Sequence, residues 1–408
     1  MNRLDNSFDI VIVGAGIAGM AAAREIVNED NLSLAIIEAN GVGSNNPSPL
    51  TFADIVEKHG FEDCLKARYR SFVFHNYQGS SIQYTFDGYP LVVLDYRKAC
   101  EKLHAILEAG CRRPTIITQR AVSLAQNKDP LVILENGDSI TAKIIIDCSG
   151  KSQLAHSPED GVVRYYSHVY GGLFSGLSNV DDKTACFLWP QQQFGLGGGW
   201  FYPLNGARAS FGYATISTSP EIDIGVIEEN FQEALHRFSP YSDYLAGVRL
   251  ESIEYGTIPI TPARNLVQGR VIAAGDAAGM ATSWTCMGVE PALRYGTLAG
   301  KIAGRALTED NYLILRTFQD TWNSADKARY DDFARIAGSF WNGNREFWEW
   351  IIRNDLAFLS APQVLDRMRN NDHVPKKHQI LFRALRHKLR MLFSVGRASN
   401  PAHIAVSQ

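Results

Sequence analysis

Three glycines and one glutamate have the types and spacing to hold a dinucleotide. Gly14, Gly16 and Gly19 stand in the run GAGIAG. Gly14 permits a tight turn, Gly16 lets backbone approach a pyrophosphate, and Gly19 lets a helix pack closely on the preceding strand. Ile17 and Ala18 fall at the start of that helix, where unpaired N–H groups and the positive dipole end attract phosphate. Glu38 follows about 20 residues on, where an acidic group meets a ribose diol, and Ala39 comes directly after it.

Such residues work only between particular elements. Residues 8–13, FDIVIV, read as a strand buried on both faces, and MAAAREIV after Gly19 reads as a helix. Leu32 to Ile37 form a second apolar run that ends at Glu38. This strand–loop–helix–strand unit does not by itself separate FAD from NAD.

The second half of the chain adds to it. RVIAA (residues 270–274) runs into Gly275-Asp276, and GVEPALRYGTLAGKIAGRAL begins a long helix with small residues along one side. AKIIIDCSGKSQ (residues 142–153) supplies a further strand end. These three motifs, in this order, resemble the flavoprotein superfamily of para-hydroxybenzoate hydroxylase, flavin-dependent halogenases and geranylgeranyl reductases. The resemblance spans roughly residues 8–305 and implies bound FAD. It implies that Asp276 holds the ribityl chain, that the backbone of Met287, Gly288 and Val289 faces the flavin ring, and that Asp147 to Gly150 lie beside the first glycine loop. The implied fold is α/β: a glutathione-reductase-like FAD-binding Rossmann domain (1–45, 95–158 and 262–310), interleaved with an antiparallel β-sheet substrate domain (46–94 and 159–261). A C-terminal helical region covers 311–408.

Two departures from that pattern stand out. Related families place an arginine on the FAD phosphates where this chain has Tyr96, with Arg97 beside it; Arg97 is carried over as the cofactor contact. In place of Pro-x-x-Gly-Glu-Gly, the loop before the long helix reads Ser283-Trp284-Thr285-Cys286-Met287-Gly288. Trp284 and Cys286 are thereby expected near the isoalloxazine. A cysteine there is either a thiolate acting as acid, base or charge-transfer donor, or a small buried loop residue. Residues 197–214 resemble the substrate motif of geranylgeranyl reductases, which assigns Trp200, Phe201, Tyr202 and Pro203 to a pocket wall. Tyr202, Cys286 and Glu290 are the candidate proton donors.

Composition narrows the classes. The 408 residues are 45% hydrophobic and 20% charged, with a formal net charge of -3. A basic face for nucleic acid is not expected. No apolar run approaches a membrane span, and no leader precedes the first strand, so a cytoplasmic protein is expected. The six cysteines form no CxxC pair and the ten histidines no HExxH pattern, so neither disulfides nor a metal site is expected. Residues 375–393 combine Leu381, Leu385, Leu389 and Leu392 with six Lys and Arg. Such a helix packs on the protein or lies on an anionic membrane surface, and peripheral membrane contact stays open.

The resulting expectation is an FAD-dependent oxidoreductase that reduces or dehydrogenates a hydrophobic, alkene-containing prenyl or lipid-like molecule by hydride transfer at flavin N5. An external donor (NAD(P)H, ferredoxin or a quinone) is required, because no second GxGxxG is present. The alternatives are oxygen activation by a monooxygenase or halogenase, a lycopene-cyclase-like non-redox use of reduced flavin, and a prenyl-binding protein without enzymatic activity.

Overall fold

The run FDIVIV lies in the strand Ser7–Val13, whose residues Ile10, Val11 and Ile12 have no exposed surface. A strand apolar on both faces fits only a sheet covered on both sides. Ser7–Val13 pairs in parallel with Leu34–Ile37 on one side and Ser139–Asp147 on the other. Thr115–Ile117 and Val271–Ala273 extend the parallel arrangement outward. The antiparallel strands Ala121–Ala125 and Leu131–Leu134 branch from Ser139–Asp147. The structure is a computed structural model and describes residues 7–27, 31–45, 47–76, 80–110, 113–126, 128–156, 162–178, 180–189, 197–237, 247–341 and 345–373, with 378, 379, 382 and 385.

Register brings the motifs together. Val13 faces both Ile37 and Asp147, and Asp147 faces Ala273. The chain therefore leaves this sheet at Gly14, Glu38, Cys148 and Ala274, side by side at the carboxyl ends of its strands. That edge is where open α/β sheets bind ligands.

The small residues of the long helix have a packing role. Val289–Thr308 lies against Ile17–Ile26 so closely that a Cβ at Gly296 or Gly300 would stand 2.3 Å from the carbonyl oxygens of Ala18 and Ala22. The helix that follows the dinucleotide loop is thus held from behind.

A seven-stranded sheet carries the other half of the chain. Its order is Arg249–Pro259, Tyr166–Ser175, Arg208–Ser217, Gly197–Leu204, Thr184–Trp189, Ser71–Asn76 and Ser81–Thr85. All neighbours are antiparallel except Thr184–Trp189 with Ser71–Asn76. The inner face carries Phe72, Phe74, Trp200 and Tyr202 into the main core. The outer face carries Val73, Phe201, Phe211 and Tyr213 into a second core under the helix Ile224–Arg237. The antiparallel-sheet expectation for 159–261 does not include that helix. Its Ile227 and Phe231, four residues apart, are a one-turn signal hidden among strands.

The C-terminal helices are built into both halves. Trp341 Nε1 donates to the Ser283 carbonyl at 3.0 Å, the Tyr330 hydroxyl to Met280 at 3.1 Å, and the Tyr84 hydroxyl to Leu356 at 2.6 Å. The basic segment 375–393 lies outside the described residues except for 378, 379, 382 and 385, of which Phe382 and Leu385 are exposed. Among the described residues no helix is long and apolar enough to cross a membrane, and no group of His, Cys, Asp and Glu could hold a metal ion.

Candidate functional site

The glycine loop is shaped for close approach. Gly14 stands at φ +100, and a Cβ there would meet the Cys148 carbonyl oxygen at 2.3 Å. A Cβ at Gly19 would meet the Gly14 carbonyl oxygen at 2.0 Å. Glu38 accepts from the Ala15 amide at 2.9 Å and the Asn40 amide at 3.1 Å, so its carboxylate stands beside the loop; Ala39 is half-buried. The amides of Ala18 and Gly19 have no partner among the described residues, as expected at a helix start that faces a ligand.

Asp147 shapes the neighbouring turn. Its buried carboxylate accepts from the amides of Ser149 at 2.9 Å and Ala155 at 2.7 Å. That turn places the Cys148 carbonyl against Gly14.

Asp276 is the second acid at this edge. Gly275 (φ +66) turns the chain beside Ala18, and the Asp276 carboxyl has no hydrogen-bond donor among the described residues. Burial pushes that carboxyl up to about 6. A Cβ at Gly288 would lie 3.0 Å from its Oδ1. An acid without a donor among the described residues, beside two helix starts that keep unpaired amides, fits a dinucleotide carrying sugar hydroxyls and phosphates. The amides of Gly288 and Val289 likewise have no partner among the described residues, the second opening the helix Val289–Thr308. The Met287 amide has one, because it donates to Thr282 Oγ1 at 3.1 Å. Of the three residues whose backbone is expected to face the ring, Met287 thus has its amide engaged within the loop.

The same hydrogen bonds fold Thr282–Met287 into a closed loop. The Cys286 amide donates to the Thr282 carbonyl at 2.8 Å, and the Thr282 amide to the Met287 carbonyl at 3.0 Å. Cys286 is held at φ +56, a left-handed conformation that disfavours side chains. The buried Ser167 hydroxyl, without an oxygen or nitrogen partner among the described residues, lies against its thiol. Burial pushes the thiol up to about 11, Ser167 works against the shift, and the Asp276 charge adds to it. Of the two readings of Cys286, this environment favours a loop thiol that keeps its proton over a thiolate.

Tyr202 is the other neutral donor. It is 6% exposed, and its hydroxyl has no partner among the described residues. Burial raises its phenol well above the usual range, with the nearby Cys286 adding. Around it stand Tyr69 and Phe187, with ring centroids 6.4 and 6.3 Å away. Trp200 lies flat across Gly212, where a Cβ would come within 2.2 Å of the indole, and donates to Ser210 Oγ at 3.0 Å. Trp284 is buried against Phe74, ring centroids 5.3 Å apart, with the Arg367 guanidinium 5.6 Å from its ring centre.

Three assignments from the sequence are corrected by this geometry. Phe201 faces the outer core and not the pocket, because successive strand residues point to opposite faces. Glu290 is tied to Arg369 Nε at 2.5 Å, which also reaches Asp54 at 2.7 Å, so it is not a free acid. Arg97 is exposed and runs along Gly43. Tyr96 reaches the loop instead: the Ile17 amide donates to its hydroxyl at 3.1 Å.

A family model described as lycopene cyclase protein matches residues 9–340. The chain belongs to the lycopene cyclase protein family. Within reach of this family, digeranylgeranylglycerophospholipid reductase 1 of Methanopyrus kandleri is 23% identical over 386 residues, covering 88% of this chain and 96% of the relative. Reductase 2 of the same organism is 24% identical over 339 residues, covering 77% and 82%. Among solved structures, a geranylgeranyl bacteriochlorophyll reductase-like protein of Thermoplasma acidophilum superposes with TM-score 0.69 at 15% identity, covering 96% of this chain and 98% of that one. The flavin-dependent brominase Bmp2 gives 0.68 at 13%, covering 95% and 100%. The chain is thus an enzyme with the mixed α/β fold of glutathione-reductase-like flavoproteins. That breadth of relatives leaves the reaction to be argued from the residues.

Proposed function

We propose that the chain is an FAD-dependent reductase of a hydrophobic, alkene-containing molecule of the prenyl-lipid class. The observation that carries this reading is the pairing of an aromatic wall with two uncharged, protonated donors. Trp200 and Tyr202 stand on the inner sheet face with Phe72 and Phe74. Tyr202 and Cys286 adjoin each other there, each holding its proton. An apolar site excludes water and suits an alkene, which offers no group to pair with a charge.

Gly14 to Gly19, Glu38, Asp276, Gly288 and Val289 are the residues to hold FAD. Bound there and reduced by an external donor such as NAD(P)H, ferredoxin or a quinone, FAD would supply hydride chemistry toward one alkene carbon. Tyr202 then delivers a proton to the other carbon. Cys286 holds the next proton at the same end of the pocket, and Ser167 orients its thiol. The names of the Methanopyrus relatives, which are reductases of geranylgeranyl lipids, support this substrate class.

The test is anaerobic. The flavin-loaded protein is reduced, then mixed with a geranylgeranyl-bearing phospholipid while the flavin spectrum is followed. Reoxidation without oxygen, with a product carrying two more hydrogens, one of them from solvent, is the expected result. A protein that stays reduced until oxygen enters, and then yields an oxygenated or halogenated product, overturns the proposal.

A further inference from the structure

The helix start that faces the pyrophosphate in this fold already has a side chain on it. The Ile17 amide donates to the Tyr96 hydroxyl at 3.1 Å, and a Cβ at Gly16 would lie 2.8 Å from that oxygen. Gly16 and Ile17 are the positions where the loop backbone approaches phosphate. The phenol oxygen therefore stands at the rim of the anion site.

Tyr96 cannot leave this place easily. It opens the helix Tyr96–Ala109, capped by Asp95 through the Lys98 amide at 3.2 Å. Ala99, Cys100, Leu103 and Leu107 bury that helix, and the Tyr96 ring packs on the same core. A ring fixed at its base keeps the hydroxyl within reach of any ligand on the loop. Burial also keeps the phenol protonated, with nearby Cys100 adding. The oxygen accepts from Ile17, and its O–H faces the Cys100 sulfur, a weak acceptor that a phosphate oxygen would replace.

We propose that Tyr96 is the side-chain donor to the cofactor pyrophosphate, a neutral hydrogen bond where related flavoproteins use an arginine. This rests on the FAD reading above and says how this chain departs from it. A neutral donor at this position gives phosphate recognition little salt dependence, because no charge pair is screened. It also gives weaker retention than a bidentate guanidinium.

The experiment titrates FAD, ADP and riboflavin into flavin-free wild type and Tyr96→Phe, with the melting temperature of each as a check on folding. Loss of a hydrogen bond to a charged group weakens binding by about tenfold or more. The expected result is that loss for FAD and ADP, with riboflavin, which has no phosphate, unchanged. Equal or tighter FAD and ADP binding by the folded variant overturns the proposal, as does an equal loss for riboflavin. Wild-type ADP affinity measured across salt is a second readout that needs no variant. A shift under about twofold between low and moderate salt is expected, and a steep loss points to a cation and overturns the assignment. Wild type that takes up neither FAD nor ADP defeats the cofactor reading itself, a result distinct from either failure of Tyr96.

Discussion

Tyr202 and Phe201 are adjacent in the chain, yet their rings belong to different cores on opposite faces of one sheet. The two positions therefore separate chemistry from stability. Tyr202→Phe keeps the ring and removes only the hydroxyl, so flavin binding and folding should hold while the proton-transfer step slows by about 100-fold. Phe201→Ala should do the reverse, costing about 3–5 kcal/mol of stability through a cavity in the outer core, with turnover of the folded fraction near normal. Single-turnover flavin reoxidation and denaturant melts check the pair. A Tyr202→Phe enzyme with unchanged reoxidation removes the phenol from the mechanism.

Asp276 makes folding depend on pH. Its buried carboxyl titrates near 6 against 3.8 for an unhindered aspartate. The folded flavin-free protein thus binds this proton more tightly than the unfolded chain. Its penalty is absent below about pH 4, grows between about 4 and 6, and stays constant above. Asp276→Asn should match wild type in flavin-free stability at low pH and exceed it above about pH 6 by up to about 3 kcal/mol. The same variant should lose flavin affinity. Melting curves of both proteins over that pH range decide it, and parallel curves mean the carboxyl is not held in the way the structure shows.

How much of this was legible follows from distance along the chain. Gly14, Glu38 and Asp276 were readable because each sits at the end of an apolar strand, and parallel register alone brings those ends together. The orientation of Phe201 was also readable, since a strand alternates. A motif that reads residues 200–203 as one block hides that alternation. Glu290 was not readable: its partner Arg369 lies 79 residues further on, in a helix that nothing nearby in the sequence ties to it. The same holds for Tyr96, which is adjacent to Arg97 in sequence. Only the packed helix shows which of the two meets Ile17.

Cys286 should be a slow thiol. With burial holding it near 11, only a minute fraction is thiolate at neutral pH. Alkylation at this position, followed by peptide mass mapping, should run far below the rate of an unhindered cysteine at about pH 8 and climb only as pH approaches 11. Rapid labelling at neutral pH would restore a thiolate role.

The contact between Gly300 and Ala22 sets how closely the long helix supports the glycine loop. A Cβ at Gly300 would stand 2.3 Å from the Ala22 carbonyl oxygen, and backbone cannot give way as a side-chain tip does. Gly300→Val should push the two helices apart, costing about 1–3 kcal/mol and weakening flavin binding together with stability. Flavin titration and thermal melts should move together. Full flavin affinity in a destabilised variant would show that the loop does not depend on this packing.

Arg367 joins the C-terminal helices to the aromatic inner face of the sheet. It is 3% exposed, bonds Asp355 at 2.5 and 3.3 Å, and lies over Trp284. Asp355 is itself 2% exposed, so Arg367→Met leaves a buried carboxylate without its guanidinium, at a cost of about 3–5 kcal/mol. Changing both, Arg367→Met with Asp355→Leu, should recover most of that loss, since the pair's attraction is largely offset by its desolvation. The double variant then isolates what the cation does for Trp284. With the fold restored, weaker binding of an alkene lipid and unchanged flavin affinity are expected, because Trp284 packs against Phe74 on the substrate side. Denaturant melts report the first half and lipid titration the second. A double variant that binds lipid like wild type makes Arg367 a stabilising residue alone.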